Sequence, residues 1–379
     1  MKIGILTQPL HTNYGGVIQN WALQQVLIRM GHEPEMIWRN HDAPDFSLSL
    51  MLRRFGSFGK TIILRYILNN KKVVLLSPFE KMYNPRTPRF ADNKFIKRIT
   101  KTKECFSDLQ LRKIISRNSY DAFIVGSDQV WREEYSPRIE TYFLDFLPST
   151  DSRPKIAYAA SFGTDTNYIS PQKLPNCQKL LEKFSAVSVR EDGGLKIIHE
   201  IFRRTDAMKV LDPSLLLDIE DYEALIQKED RHDSERFIGA YILNRNNDKE
   251  YIIADIASEK GLAVKQESGS YEDHKMLTIS RWLAMFADAE YIVTDSFHGC
   301  VFSIIFNKPF VAIGNEVRGL DRFTSLLSML KLEDRLILTL SEYCNKKESL
   351  MVSTDYQAVN ERLSLLKKES ISFLENALS

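Results

Sequence analysis

Apolar and polar positions along this chain run through the same rhythm twice. In the first round, apolar runs of strand length fall at residues 2–7, 35–38, 122–125, 156–160 and 186–189. After the first of them, Leu23, Val26, Leu27 and Met30 recur at helical spacing, and Gly31 stops that helix. Val210-Leu211-Asp212-Pro213 closes the round, because a proline cannot continue as a central strand. Residues 218–235 are acid-rich and carry no strand pattern, which marks a boundary. The second round places strands at 237–243, 262–265, 291–294 and 310–313, with helices from about 247, over 279–287 and over 300–306. Such alternation predicts the α/β class, as two parallel-sheet domains facing each other. Residues 356–378 then set Val359, Leu363, Leu366, Phe373 and Ala377 on one face of a long helix, which is expected to pack back across the first domain. The expected units are 1–220, 235–350 and a crossover helix at 356–379.

One stretch breaks the rhythm. Between residues 46 and 103, clusters such as Ile62-Ile63-Leu64 alternate with Arg53-Arg54, Arg65, Lys71-Lys72 and Lys97-Arg98, which reads as a mostly helical basic insertion in the first domain. Either its basic face is merely solvated, or it rests on anionic lipid or attracts an anionic glycan. No nucleic-acid module accompanies it, so no nucleic-acid partner is expected. A chain of 379 residues exceeds the size at which single cores stop growing, and a formal net charge of +1 argues against whole-surface attraction to acidic polymers. Cys105, Cys177, Cys300 and Cys344 lack metal-type spacing and read as free thiols of a reducing compartment. The first apolar run is too short for a signal peptide, and no run reaches transmembrane length. The expected location is the cytoplasm, with the inner face of the membrane as the alternative that the insertion leaves open.

Ligands of open α/β sheets bind at the carboxyl ends of strands, so the chemistry is sought there. Asn13-Tyr14-Gly15-Gly16 precedes the first helix. Adjacent glycines let backbone approach a ligand, and free N–H groups at the positive end of the dipole suit an anion; a tight turn accounts for them equally well. Gly126-Ser127-Asp128-Gln129-Val130-Trp131 follows a strand and reads as a crevice loop or as a cap. Arg190 ends another strand, where it can bind a carboxylate or phosphate bidentately or pair with a nearby acid, and Asp192 is placed to cap the next helix. His298 stands at a helix start in Asp295-Ser296-Phe297-His298-Gly299, and the loop after the following strand carries Asn315, Glu316 and Arg318. The two loops could face one site. No metal site is expected, since the histidines do not cluster with carboxylates at ligand spacing.

Several of these stretches together resemble the polysaccharide pyruvyl transferase family: Asn13 to Gly16 with Gln19 and Ala22-Leu23-Gln24, Gly126 to Trp131, Tyr158 to Gly163, Ser188-Val189-Arg190-Glu191, Leu211-Asp212-Pro213, and Asp295 to Gly299 with Lys308-Pro309. They cover nearly the whole chain in order. The resemblance implies two facing Rossmann-like domains of the GT-B-like glycosyltransferase architecture. It also implies transfer of the pyruvate unit of phosphoenolpyruvate to a sugar of a cell-surface polysaccharide or its precursor, as a ketal, with release of phosphate. Phosphoenolpyruvate is then the donor substrate, no cofactor is required, and the acceptor is a saccharide, free or linked to a nucleotide or lipid. Carried over residue by residue, the resemblance implies His298 as catalytic residue and Arg190 and Arg318 as donor-binding residues; Ser296 and Gly299 are expected to join the donor site, and the mechanism such a transfer needs leaves Asp128 to orient or deprotonate an acceptor hydroxyl. Asn13, Gly15, Gly16, Ser127 and Gln129 would form an acceptor or anion loop. The chain departs from the pattern where Ser296 replaces the motif's arginine, Phe297 its leucine and Arg318 a lysine. Losing one guanidinium leaves room for two alternatives, a GT-B-type glycosyltransferase with a nucleotide-sugar donor and a non-catalytic glycan-binding protein on the same fold.

Overall fold

The computed structural model describes residues 1–10, 13–41, 92–232, 236–266, 277–314 and 319–379. Most of the basic insertion expected at 46–103 therefore lies outside the described residues, as do Asn315, Glu316 and Arg318. The first sheet comprises β1 (Lys2–Leu6), β2 (Glu33–Met36), β3 (Ala122–Val125), β4 (Lys155–Ala160), β5 (Ala186–Val189) and β6 (Met208–Lys209), in the order β2-β1-β3-β4-β5-β6. All pairings are parallel. Every residue of β3 and β4 is buried, which is why these strands read as unbroken apolar runs: a parallel sheet is covered on both faces. β6 lies at the edge, just before Pro213 turns the chain into a short 3₁₀ helix, as a proline-terminated strand should.

The second sheet comprises β7 (Phe237–Tyr241), β8 (Ala263–Gln266), β9 (Tyr291–Thr294), β10 (Phe310–Ile313) and β11 (Leu336–Ile337), ordered β11-β10-β9-β7-β8 and again parallel. Strand order reverses between β1 and β3 in one sheet and between β7 and β9 in the other. At such a switch point the loops leave to opposite sides and open a crevice beyond the carboxyl ends. The loops carrying Asn13 and Asp128 leave the first switch point, and the loop carrying His298 leaves the second.

An aromatic cluster joins the halves. Tyr14 stacks on Trp282 at 5.2 Å between centroids, and its hydroxyl donates to the Leu277 carbonyl (3.1 Å). Tyr222 meets Trp21 on one side and Phe302 on the other, edge to face. These residues belong to one continuous core that runs from β1 into the second sheet. The Tyr356–Leu378 helix reinforces the join. It starts on the second domain, where Tyr356 donates to the Lys308 carbonyl, and ends on the first, where Ser370 Oγ accepts from Leu211 N (3.0 Å) and Phe373 lies 6.2 Å from Tyr158. Among the described residues no helix is long and apolar enough to cross a membrane, and all four cysteines are free thiols.

Phe373 is buried against Tyr158. Its replacement by alanine should therefore cost about 3 kcal/mol of unfolding free energy, read from the urea midpoint at constant slope. An unchanged midpoint would mean that the crossover helix adds nothing to the first domain.

The candidate active site between the two sheets

The first-domain wall is built around Asp212, which is 1% exposed. Its Oδ2 accepts from Arg190 Nη1 (2.6 Å), its Oδ1 caps the following 3₁₀ turn by accepting from Ser214 N (3.0 Å), and Ser127 Oγ stands 3.3 Å from Oδ2. Arg190 leaves the end of β5 with its guanidinium carbon over the Phe297 ring, 4.4 Å from the centroid. Its remaining nitrogens face acids at longer range: Nη2 is 3.7 Å from Asp128 Oδ1, and Nε is 3.7 Å from Glu191 Oε2. Both are buried without a hydrogen-bond partner among the described residues. The pairing reading and the ligand reading of Arg190 thus rest on different atoms of one side chain.

Asp128 holds a left-handed backbone conformation (φ 70°), uncommon outside glycine, and its carboxylate accepts from Asn13 Nδ2 (3.3 Å) and from Gln129 N (2.9 Å). The two glycines then explain themselves. A Cβ on Gly15 would lie 1.9 Å from His298 Nδ1, and one on Gly16 would lie 2.9 Å from Asp128 Oδ2. They bring the start of the Tyr14–Arg29 helix against the two candidate catalytic side chains, one from each domain.

The second-domain wall is the start of the Phe297–Ile305 helix, which begins three residues before the apolar run that marks it in the sequence and so encloses His298 in its first turn. His298 is 5% exposed; its Nε2 lies 3.8 Å from Asp212 Oδ2 and has no hydrogen-bond partner among the described residues. Asp295 holds the loop in place. It accepts from Leu243 N (2.6 Å) and Asn244 N (3.0 Å) and pairs with buried Lys249 (2.7 Å), tying the ends of β7 and β9 together. Arg322, from the Asp321–Leu330 helix, has its guanidinium carbon 5.8 Å from the centroid of the same Phe297 ring. Asp321 accepts from Gly193 N (3.0 Å) and Ser325 Oγ from Asp192 N (2.9 Å), so two helix starts meet across the crevice.

Burial pushes the His298 imidazole down to about 4, against the pull of Asp212 and with the help of Arg190, so it is neutral near pH 7. Burial also acts to raise the Asp212 carboxyl, but Arg190, His298 and the Ser214 N–H together outweigh it and hold the group below its usual range. Burial and then the neighbouring Arg190 push Arg322 down to about 10. Burial, with Glu191 adding to it, raises Asp321 to about 6.

The expected residues sort into three groups. His298, Arg190, Asp128, Asn13, Gly15 and Gly16 converge on one crevice. Ser127, Ser296 and Gly299 contact the frame that backs it, Ser127 reaching Asp212 as well. Ser127 donates to the Ala159 carbonyl (3.1 Å), the Ser296 backbone N–H donates to Thr294 Oγ1 (3.1 Å), and a Cβ on Gly299 would strike Thr294 Oγ1 at 2.0 Å, so this glycine serves strand–helix contact. Gln129 lies to one side, its Oε1 accepting from Arg132 Nη1 (3.4 Å), and Arg318 is outside the described residues. Asp192 does not cap its helix; it is the first helical residue and pairs with Lys209 (2.6 Å). Asp212 and Glu191 lie in two of the stretches that carry the family resemblance but are not among the expected site residues, and no local pattern singles out Asp321 or Arg322. Among the described residues no group of three His, Cys, Asp or Glu side chains is placed to hold a metal ion.

Two measurements check this geometry. Gly15→Ala must displace His298 or the helix start, and should lower the thermal midpoint by several degrees, about 1–3 kcal/mol for an overpacked contact. An unshifted midpoint would contradict the close approach. The second uses pH. A histidine lowered from 6.5 to about 4 leaves the unfolded chain binding the extra proton, so its contribution to stability is full above pH 6.5 and is lost as pH falls to 4, by about 3 kcal/mol. Asp321 works with the opposite sign between its ordinary value and about 6. The difference between wild type and His298→Gln isolates the histidine, and should show the variant losing less stability on acidification.

A search of curated protein sequences finds no match. Among solved structures, UDP-GlcNAc 2-epimerase from Neisseria meningitidis bound to UDP-GlcNAc aligns over 99% of this chain and 100% of its own, at 9% identity and a TM-score of 0.53. The trehalose-6-phosphate phosphatase N-terminal domain of Candida albicans aligns over 100% and 96% at 11% identity and 0.51, and the UDP-GlcNAc 2-epimerase of Methanocaldococcus jannaschii over 97% and 100% at 10% identity and 0.50. Likeness at this level shows the fold, two facing Rossmann-like domains of GT-B type. The model of one enzyme family, polysaccharide pyruvyl transferase, matches residues 13–317, from the Asn13 loop through the helix that carries His298. With that match spanning both walls of the crevice, the chain belongs to the polysaccharide pyruvyl transferase family.

Proposed function

We propose that this protein transfers the pyruvate unit of phosphoenolpyruvate onto two hydroxyls of a saccharide, forming a ketal and releasing phosphate. The observation that carries the reading is His298: a buried imidazole, neutral near pH 7, with Nε2 unpartnered and placed beside the Arg190–Asp212 pair.

The chemistry asks for such a group. One sugar hydroxyl adds to C2 of the enol phosphate while a proton reaches the methylene carbon, which becomes the methyl group. The second hydroxyl then displaces phosphate, and its proton leaves with the phosphate. A neutral imidazole accepts the first hydroxyl's proton. With a pKa near 4 the imidazolium so formed is a strong acid for its type, suited to passing that proton on to carbon. Arg190, through its buried Nε and Nη2, and the N–H groups at the starts of the Tyr14–Arg29 and Phe297–Ile305 helices would hold a donor of charge about −3. Asp128, fixed by Asn13, would orient the attacking hydroxyl.

The test combines binding and turnover. Phosphoenolpyruvate should raise the thermal midpoint of the protein by mass action, while uridine and guanosine diphosphates should not. His298→Ala should keep the shift and lose at least about 100-fold in phosphate release. A midpoint raised by a nucleotide instead would turn the reading toward a nucleotide-sugar glycosyltransferase. Near-normal turnover in the His298 variant would remove the role given to the imidazole.

A further inference from the structure

A cluster at the edge of the crevice is untouched by these roles. Arg132, 9% exposed, sits between two tyrosine rings, with its guanidinium carbon 4.4 Å from the Tyr135 centroid and 5.4 Å from that of Tyr168. The rings themselves are open, at 38% and 53% exposed. Arg132 Nη1 bonds Gln129 Oε1 (3.4 Å) and Nη2 bonds Glu134 Oε2 (3.2 Å), while Nε is buried without a partner. Both loops are held to the crevice wall. Gln8, just after β1, donates to the Gln129 carbonyl (2.8 Å) and to Ser136 Oγ (3.1 Å), next to Tyr135. Ser170 N, two residues beyond Tyr168, donates to Glu133 Oε2 (2.7 Å). That loop starts at Gly163, whose carbonyl lies so close to Gly319 of the second domain that a Cβ there would stand 1.7 Å from it.

We propose that Tyr135, Tyr168 and Arg132 form a saccharide subsite, on which the pyranose ring of an uncharged acceptor lies against the open tyrosine faces. A pyranose presents a face of C–H groups and a rim of hydroxyls. The electron-rich face of a tyrosine attracts the first, and its rigid ring gives contact area at little entropic cost. The amide of Gln129, the carboxylate of Glu134 and the guanidinium offer donors and acceptors to the rim. The acceptor is uncharged because Glu134 already neutralises Arg132. The proposal rests on the crevice being the transfer site, since it names where that reaction's acceptor is held.

Saturation-transfer NMR tests it, on the full chain with methyl glycosides of glucose, galactose and mannose as probes. Wild type should saturate the ring protons on one face of at least one glycoside. Tyr135→Ala/Tyr168→Ala should reduce that signal about five-fold or more, and Tyr135→Phe/Tyr168→Phe should retain it. The midpoint shift with phosphoenolpyruvate should be equal in all three proteins. No saturation in wild type, or equal saturation in the double alanine variant, overturns the subsite. Glycoside binding through these rings without any shift from phosphoenolpyruvate supports the subsite and counts against the transfer reading, so the two failures separate.

Discussion

A carboxylate with almost no access to water needs compensation on every side, and in this protein that requirement falls on Asp212. Arg190, the Ser214 N–H and Ser127 surround it, and each comes from a different strand-end segment: β5, the turn after β6 and the loop after β3. Satisfying one buried charge thereby fixes the relative positions of three loops. The same carboxylate faces His298 from the other domain, so crevice closure and the environment of the imidazole depend on one group. Removing either member of the Arg190–Asp212 pair alone would leave an uncompensated buried charge, the costly way to break such a pair.

Around this pair the described carboxylates Asp128, Glu191, Asp212 and Asp321 outnumber the guanidiniums of Arg190 and Arg322. Attraction for an anionic donor must then draw on helix starts and on relief of the acids' surroundings. Asp321, already raised to about 6, is the carboxyl most readily neutralised. Under the proposed transfer, an anionic donor beside His298 would raise the pKa of the imidazole from about 4, so that donor binding itself would tune the proton relay.

Fold and site were legible to different depths. Both parallel sheets stand out in the sequence because strands buried on both faces leave continuous apolar runs, as in β3, β4, β9 and β10. The Tyr356–Leu378 helix stands out by its single apolar face. The Asp108–Arg117 and Leu174–Leu181 helices do not: each lays apolar side chains on the core, Leu111 with Ile114 and Ile115, and Cys177 and Leu181 with Leu174 and Leu180, but over too few turns for the pattern to separate from its surroundings. Asp321–Leu330, with Phe323, Leu326, Leu327 and Leu330 buried, does carry the pattern, and it holds the second guanidinium of the crevice. Within the site, His298, Arg190 and the Gly15-Gly16 pair were legible from their places at strand ends and helix starts. Asp212 was not: beside Pro213 it reads as a turn residue, and only the approach of two domains gives it His298 as a neighbour. Gly299 shows the reverse, a motif glycine whose demand comes from Thr294 behind the site.

The most direct measurement follows the donor's own carbon. Phosphoenolpyruvate labelled with ¹³C at C2, incubated with the protein and a mixture of saccharides, reports by NMR whether its enol carbon becomes a saturated quaternary carbon bearing two sugar oxygens. Pyruvyl transfer predicts that this ketal signal grows with the protein, is absent without saccharide, and fails to grow with His298→Ala. A label that stays in the enol while a nucleotide sugar is consumed in its place would contradict the transfer.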